Sequence, residues 1–419
     1  MIKKLKILGF VVALSFIYIL NYATLKTSIS KCLPLIKNSE QFYAEINGQK
    51  YPKIIPSFFN ASINFDCLNS NLNKPKLILL WNEYGPWVDW KYGLGKYEPF
   101  QKRKCPVYNC EITKDKTRLD ESDLVLVHMR GDYSKLPLKR SYKTRMVFLI
   151  TESPIHSKEF HPHLNGLFNQ TATFNLDSDY SPFYYSNIGF KWELNEQFDE
   201  TRNYLEGKTK LAAILATNCH AHSKRIEYIQ EMQKYSNQID ILGGCGKSCN
   251  ISGENRFLSK LCREKISKEY KFLLAFENSM CKDYITEKLF DTLVFDIVPV
   301  VLGYGPYDQF IPRSAYINAL DFKSPQHLVE YLIYLEKNST AYNEYFKWKK
   351  YIKKTDNEYK QFCDMCIKLN LENFYGIQKS QVNDLETFWG YKKNCLTPQI
   401  ENGIFNFIPI NYTHKCTIC

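Results

Sequence analysis

The chain has 419 residues, 44% of them apolar, and a formal charge of +11 from 55 basic and 44 acidic side chains. That length exceeds one ordinary hydrophobic core and implies two or more domains. The positive balance suits acidic ligands, but no basic tract is interleaved with aromatics and no nucleic-acid motif occurs, so nucleic acid is set aside in favour of phosphorylated small molecules or anionic membrane.

Lys3, Lys4 and Lys6 precede residues 7–25, a run without charge that is long enough to span a bilayer once. The basic flank keeps Met1 cytoplasmic and sends the remainder to the lumen. A cleaved signal peptide is the competing reading, but the run is long for one and no small-x-small site follows. An uncleaved type II signal anchor fits better, with 1–6 as the cytoplasmic tail. All fourteen Cys lie C-terminal to it, and N-x-[ST] sequons occur at Asn60, Asn169, Asn250, Asn338 and Asn411. Together these point to the secretory pathway, where Cys pair as disulfides. Cys363-x-x-Cys366 and Cys416-x-x-Cys419 have zinc half-site spacing, but no His follows suitably, so disulfides are expected. Residues 26–75 are polar and Asn- and Ser-rich, with Pro34, Pro52 and Pro56, and read as a stem.

A first α/β domain is expected over 76–204. Residues 76–81, 123–128 and 145–150 are short apolar runs of the kind that form buried strands. The third ends in Thr151-Glu152-Ser153-Pro154. A carboxylate at a strand end, fixed by a Pro turn, suits a general base; a capping acid in a turn is an equally good reading. Asp177-Ser-Asp179 has D-x-D form, but no strong strand leads into it, and a turn role is expected over a metal site.

A second domain is expected over 205–370. A strand at 210–216 leads to Arg225, which opens a helix carrying Ile226, Ile229 and Met232; there it is either a phosphate clamp or an ordinary surface Arg. A strand at 239–242 runs into a glycine turn at 243–246. Residues 272–276 and 298–302 are buried-strand candidates flanking a predicted helix over 284–296, with Ile285, Leu289 and Leu293 on one face and Tyr284, Glu287 and Lys288 on the other. Glu277 and Asn278 sit where the first of these strands ends. In α/β folds ligands bind beyond the carboxyl ends of parallel strands, so these groups surround one crevice, unless they form only the solvated face of a crossover. An amphipathic helix is expected over 327–335, and 371–419 reads as a tail tied by its Cys.

Phe276-Glu-Asn-Ser-x-Cys-x-Asp-Tyr-Ile-Thr-Glu-Lys-Leu289, followed by Val298-Pro-Val-Val-Leu-Gly303, resembles the central signature of the Golgi α1,3-fucosyltransferases (glycosyltransferase family 10), which include Lewis-type and N-glycan core-type enzymes. His128-Met-Arg130, Glu152-Ser-Pro154, Asp177-Ser-Asp179, Thr217-Asn218 through Arg225, Tyr345-Phe-Lys-Trp348 and Phe362-Cys-x-x-Cys366 resemble further family elements. The resemblance implies a GT-B architecture, two Rossmann-like domains facing a cleft, in the Golgi membrane with a lumenal catalytic region. It implies inverting transfer of fucose from GDP-fucose to O3 of an N-acetylglucosamine in a glycan or glycoprotein acceptor. Glu152 would be the base. Arg225 and Lys288 would stabilise the diphosphate, and Asn278, Tyr284 and Glu287 fall on the other donor-contacting positions. Glu277 is a secondary candidate. No metal is implied for the chemistry, although Mn²⁺ stimulates some enzymes of this type. The sequence departs from the family at 174–176, at 181–188 and at Asp296-Ile297; the first two unsettle acceptor choice. Another nucleotide-sugar donor, or a silent lumenal glycan-binding protein, are the alternatives; the intact Glu152, Arg225, Glu287 and Lys288 oppose the second.

Overall fold

The computed structural model describes residues 74–410 apart from 86–88, 91, 158–159, 161, 181–189, 193, 250–254, 355–360 and 376–380, together with the strands at 43–46 and 49–52 and residue 69. The expected anchor at 7–25, the sequons at Asn60, Asn250 and Asn411, and Cys416 and Cys419 lie outside the described residues. Among the described residues no helix is long and apolar enough to cross a membrane. Within the expected stem, β1 (Tyr43–Ile46) and β2 (Gln49–Pro52) form an antiparallel hairpin.

Two parallel sheets carry the fold; β9 (Phe190–Trp192) and β13 (Met280–Cys281) lie outside them, each in a short antiparallel pairing. In the first, β3 (Lys76–Leu80) lies inside, with β5 (Cys110–Thr113) on one side and β6 (Leu124–His128), β7 (Arg145–Leu149) and β8 (Gln170–Ala172) on the other. Only β4 (Gly95–Lys96), at the β5 edge, runs antiparallel. In the second, β10 (Lys210–Leu215) has β11 (Ile239–Leu242) on one side and β12 (Tyr270–Phe276), β14 (Val298–Leu302) and β15 (Ile317–Asn318) on the other, all parallel. The runs expected to be strands are strands, to within one residue except at β12, which begins two residues early. The short β5, with its alternating burial, carried no apolar run to announce it.

A parallel sheet needs both faces covered, which is why these strands read as continuous apolar runs. The second sheet supplies its own cover. On one face α1 (Arg225–Gln233) and α4 (Pro325–Lys337) bury Ile229, Met232, Leu328 and Leu332 against Ile214, Phe272, Leu274 and Val300. The other face takes Ile266 of α2 (Asn255–Glu269) and Leu289 of α3 (Glu287–Phe290).

The first sheet does not cover itself. Helix α5 (Gln361–Tyr375) returns to it, burying Met365, Ile367 and Leu369 with Ile78, Leu80, Leu126 and Val147. On the opposite face Leu385 and Trp389 of α6 (Leu385–Trp389) join Leu79, Val125, Val127 and Phe148. Residues assigned from sequence to the end of the second domain and to a tail are thus core of the first sheet. The local sequence hid this, because an apolar segment does not say which distant sheet it covers. Cys363 and Cys366, one turn apart on α5, pair with Cys105 and Cys110, so the C-x-x-C is two disulfides and not a zinc half-site. Cys219–Cys245, Cys249–Cys262 and Cys281–Cys395 are also paired. Arg145 of β7 is ion-paired with Glu372 of α5.

Each α5 disulfide closes a loop of more than 250 residues, which restricts the unfolded chain strongly. Replacing Cys363 and Cys366 together by Ser is expected to lower Tm by about 12 °C, taking about 2 kcal/mol per bridge and about 3 °C per kcal/mol. Calorimetric melts of the oxidised protein check this; an unchanged Tm would mean that α5 docks by its apolar face alone.

Candidate active site

In each sheet the strand order reverses once, between β3 and β6 and between β10 and β12. A crevice opens at such a point beyond the carboxyl ends of the strands. At the first, Asn82 bridges the two loops: its Nδ2 donates to the His128 carbonyl at 2.9 Å and its Oδ1 accepts from the His128 amide at 2.9 Å. Gly131 leaves no room for a side chain, since a Cβ would lie 2.3 Å from the Glu83 carbonyl. Arg130 and the β7-end residue Glu152 face this crevice. At the second, the loops after β10 and β12 bring together Asn218, Arg225 and residues 277–284.

Glu152 is where the two sheets meet. Pro154 starts a 3-10 turn directly after it, and Ser153 donates its amide to Glu152 Oε1 at 3.0 Å. The same oxygen accepts from the Tyr284 hydroxyl at 2.8 Å and Asn278 Nδ2 at 3.3 Å, both from the second sheet's signature. Oε2 lies 3.7 Å from Arg130 Nη1. The Glu152 side chain remains 23% exposed, so a ligand can reach it. Sequence reasoning named Arg130 only within its motif; no spacing signal ties it to Glu152, because the contact depends on parallel β6 and β7 ending side by side.

The signature itself departs from expectation in one respect. The helix predicted over 284–296 is only the short α3, followed by turns. Asp283 has φ +62°, and Thr286 caps α3 by accepting the Lys288 amide, so no helix can begin at Tyr284. The facing was nonetheless legible. Ile285, Leu289 and Leu293 share one apolar cluster with Val301, while Tyr284 sits in the first sheet's core.

Beneath α3 lies a buried charge network. Glu277 is 1% exposed. It accepts from the Thr286 amide and hydroxyl, each at 2.9 Å, and from Lys288 Nζ at 2.9 Å. Lys288 Nζ also donates to Thr286 Oγ1 at 2.8 Å and lies 3.5 Å from Glu287 Oε1. Burial pushes the Glu277 carboxyl above its ordinary pKa, with Lys288 opposing. For Lys288 burial works against the charge, but Glu277 and Glu287 outweigh it and hold its pKa up. Glu277, a secondary candidate from sequence, is therefore closed to a ligand and orients Lys288 from below. The Glu287 side chain is 43% exposed and available.

Arg225 is not a surface arginine: it is 3% exposed. Its Nη1 donates to the Phe276 carbonyl at 2.9 Å and its Nη2 to the Asn218 carbonyl at 3.1 Å, lacing together the loops of the second crevice. Its Nε is buried with no partner. Burial lowers its pKa, opposed first by Glu277. A buried guanidinium held this way is a fixed positive charge under the crevice floor. The groups near it that keep solvent access are Arg130 and, in part, Glu152, Asn278, Glu287 and Lys288.

The other sequence candidates resolve into structure. Asp179 Oδ2 accepts from the Thr171 amide and hydroxyl at 2.7 and 2.9 Å, and Ser178 Oγ accepts from the Thr173 amide at 3.1 Å, so Asp177-Ser-Asp179 is a turn that ties off β8. His128 is stacked on Tyr84 at 3.8 Å, and its pKa is pushed down to about 3 by burial, with help from Arg130; it is a neutral packing residue. Among the described residues no group of three or more His, Cys, Asp or Glu is placed to hold a metal ion. Of the two described sequons, Asn169 binds the Met146 amide and Arg140 through Oδ1, and Asn338 caps the helix at Ser339–Glu344.

Comparison with known proteins gives one answer. A family model described as "Glycosyltransferase family 10 (fucosyltransferase) C-term" matches residues 205–388, and one described as "Fucosyltransferase, N-terminal" matches 73–185. Glycoprotein 3-alpha-L-fucosyltransferase A of Drosophila melanogaster is 34% identical over 361 residues, covering 84% of this chain and 67% of that protein. The 4-galactosyl-N-acetylglucosaminide 3-alpha-L-fucosyltransferase FUT6 of Homo sapiens is 31% identical over 339 residues, covering 78% of this chain and 87% of that protein. A crystal structure of an alpha1,3-fucosyltransferase aligns with TM-score 0.50 at 18% identity, over 72% of this chain and 91% of the other, a likeness of fold.

Proposed function

The chain belongs to glycosyltransferase family 10, the fucosyltransferases, and from that premise we propose that it transfers L-fucose from GDP-fucose to O3 of an N-acetylglucosamine in a glycan, with inversion. The observation that carries this reading is the meeting of Glu152 with the second sheet's signature across the two crevices. An inverting transfer needs one base on the acceptor side and positive charge on the leaving-group side. Glu152 takes the acceptor hydroxyl proton as that oxygen attacks the anomeric carbon. The bond from that carbon to the diphosphate oxygen breaks, and GDP leaves toward Lys288, with Arg225 as fixed charge beneath. Glu287, exposed at the rim, suits the ribose hydroxyls. Two doubly wound sheets with their strand ends facing one site support the GT-B assignment, and the disulfides support a lumenal catalytic region behind a type II Golgi anchor.

The acceptor is the open part. The Drosophila relative is named for glycoproteins and the human one for a galactosylated N-acetylglucosamine. The test is the full-length chain assayed with GDP-fucose and a UDP-sugar panel against N-acetyllactosamine, LacdiNAc and N-glycan core acceptors, with product linkage read by NMR. GDP-fucose turnover with fucose on O3 is expected. Turnover of a UDP-sugar alone, or linkage to another oxygen, overturns the proposal.

A further inference from the structure

Helix α4 buries one face, on which Leu328, Val329, Leu332 and Leu335 pack against the second sheet. Its outer side carries aromatic rings. Tyr334 is 51% exposed. Its ring stacks on that of Tyr331, with centroids 6.1 Å and planes 28° apart, and Tyr331 in turn lies 5.4 Å from Phe322. A hydroxyl-to-hydroxyl hydrogen bond of 2.9 Å to Tyr345 holds Tyr331 in place. Phe322, Tyr331 and Tyr334 therefore form a continuous ridge on the outside of the fold.

Asn338 stands at the end of this ridge, one helical turn beyond Tyr334 and two beyond Tyr331. It opens the sequon Asn338-Ser339-Thr340, whose Ser339 and Thr340 are exposed. The two ends of its amide are divided between two tasks. Oδ1 accepts the Ala341 amide at 3.0 Å and caps the next helix. Nδ2, the atom to which a glycan attaches, donates to the Tyr334 hydroxyl at 3.0 Å. Attachment at Nδ2 keeps the cap, because the carbonyl oxygen is untouched, and it starts the sugar chain on the ridge. The apolar C–H face of an N-acetylglucosamine covers an aromatic ring while its hydroxyls and acetamide stay in water, which suits a ring with an apolar body and a polar tip.

Resting on the reading of this region as lumenal, we propose that Asn338 carries an N-linked glycan whose first N-acetylglucosamine packs on Tyr334 and covers the aromatic ridge. Nδ2 attacks C1 of the first sugar of a lipid-diphosphate-linked oligosaccharide. The N–C bond forms, the bond from C1 to the diphosphate oxygen breaks, the amide gives up one proton and the lipid diphosphate leaves. The remaining amide hydrogen keeps Nδ2 a donor to the Tyr334 hydroxyl. The site is remote from the transfer chemistry. Tyr342, one turn beyond Asn338, donates its hydroxyl at 2.6 Å to the carbonyl of Lys271, at the amino end of β12, whereas the crevice lies beyond the carboxyl ends. The glycan therefore serves stability and not turnover.

The test is the full-length chain made in eukaryotic cells, with its glycopeptides read by mass spectrometry. Asn338 is expected to be occupied. Thr340→Ala deletes the sequon and leaves the Asn338 cap; it is expected to lose that glycan and about 3 °C in Tm, with kcat/KM for GDP-fucose unchanged. Thr340→Ser keeps the sequon and is expected to match the wild type. Tyr334→Ala is expected to lower Tm by a similar amount in the glycosylated protein and by much less in the Thr340→Ala background, because ring and sugar stabilise as a pair. Equal losses in the two backgrounds would mean that the glycan does not dock on the ring, and an unmodified Asn338 that there is no glycan; either result overturns the proposal. If every other sequon is unmodified too, the lumenal reading has failed; if others are modified and Asn338 is not, only this proposal has failed.

Discussion

Replacing Glu152 by Gln is expected to lower kcat about a thousandfold while leaving the affinity for GDP unchanged, within the range a positioned general base supplies. The amide has the same shape as the carboxylate. Its carbonyl still accepts from the Tyr284 hydroxyl and Asn278, so the site keeps its geometry. What it loses is the capacity to take a proton. On the proposed reading GDP is placed by Lys288 and the groups around it, independently of that capacity. Single-turnover assays with GDP-fucose, beside GDP calorimetry, separate the two. A variant within tenfold of wild type would show that the base lies elsewhere.

The second large effect concerns Lys288, and it has two parts. Lys288→Met is expected to cost on the order of 10²- to 10³-fold in kcat/KM, because the charge that meets the leaving diphosphate is gone. It is also expected to destabilise the fold, because Glu277 keeps its Thr286 bonds but loses its counter-charge in a buried site; breaking a buried pair costs about 3–5 kcal/mol. This second cost depends on pH. Burial already raises the Glu277 pKa in the folded state, and without Lys288 its main opposing charge is gone, leaving the Thr286 hydrogen bonds. A folded state that holds its proton more tightly than the unfolded chain is most stable at low pH and loses stability as pH rises through the folded pKa. The Tm of Lys288→Met is therefore expected to fall between pH 5 and pH 8 by more than that of the wild type. Adding Glu277→Gln is expected to restore Tm without restoring turnover. A pH-independent Tm would mean that Glu277 is not the group left unpaired, and turnover within fivefold of wild type would remove Lys288 from the leaving-group side.

Most of the second sheet was readable in advance because its strands are apolar runs closed by recognisable residues: 210–216, 239–242, 272–276 and 298–302 all follow from buried-strand composition. The first sheet was half readable. Its strands at 76–80, 124–128 and 145–149 announced themselves, but β5 and β8 are short and carry polar residues. The covering helices α5 and α6 were invisible as cover, because docking 250 residues back along the chain leaves no local pattern. The 284–296 helix shows the same limit at smaller scale. The four-residue spacing of Ile285, Leu289 and Leu293 correctly gave a buried face, but a positive φ at Asp283 and a cap at Thr286 decide that only one turn is helical.

The same division holds for the candidate site. Residue identity alone nominated the candidate groups, because a long motif with an acid, an amide, a phenol and a lysine in fixed order is specific whatever its conformation, and because Glu152-Ser-Pro announces a strand end. Only the tertiary structure decided what each group faces. Burial turned Glu277 and Arg225 inward, and the return of the chain through Trp389 placed Tyr284 in the other sheet's core, with its hydroxyl on Glu152. Such contacts arise between segments more than a hundred residues apart, where the pairing depends on packing and not on spacing.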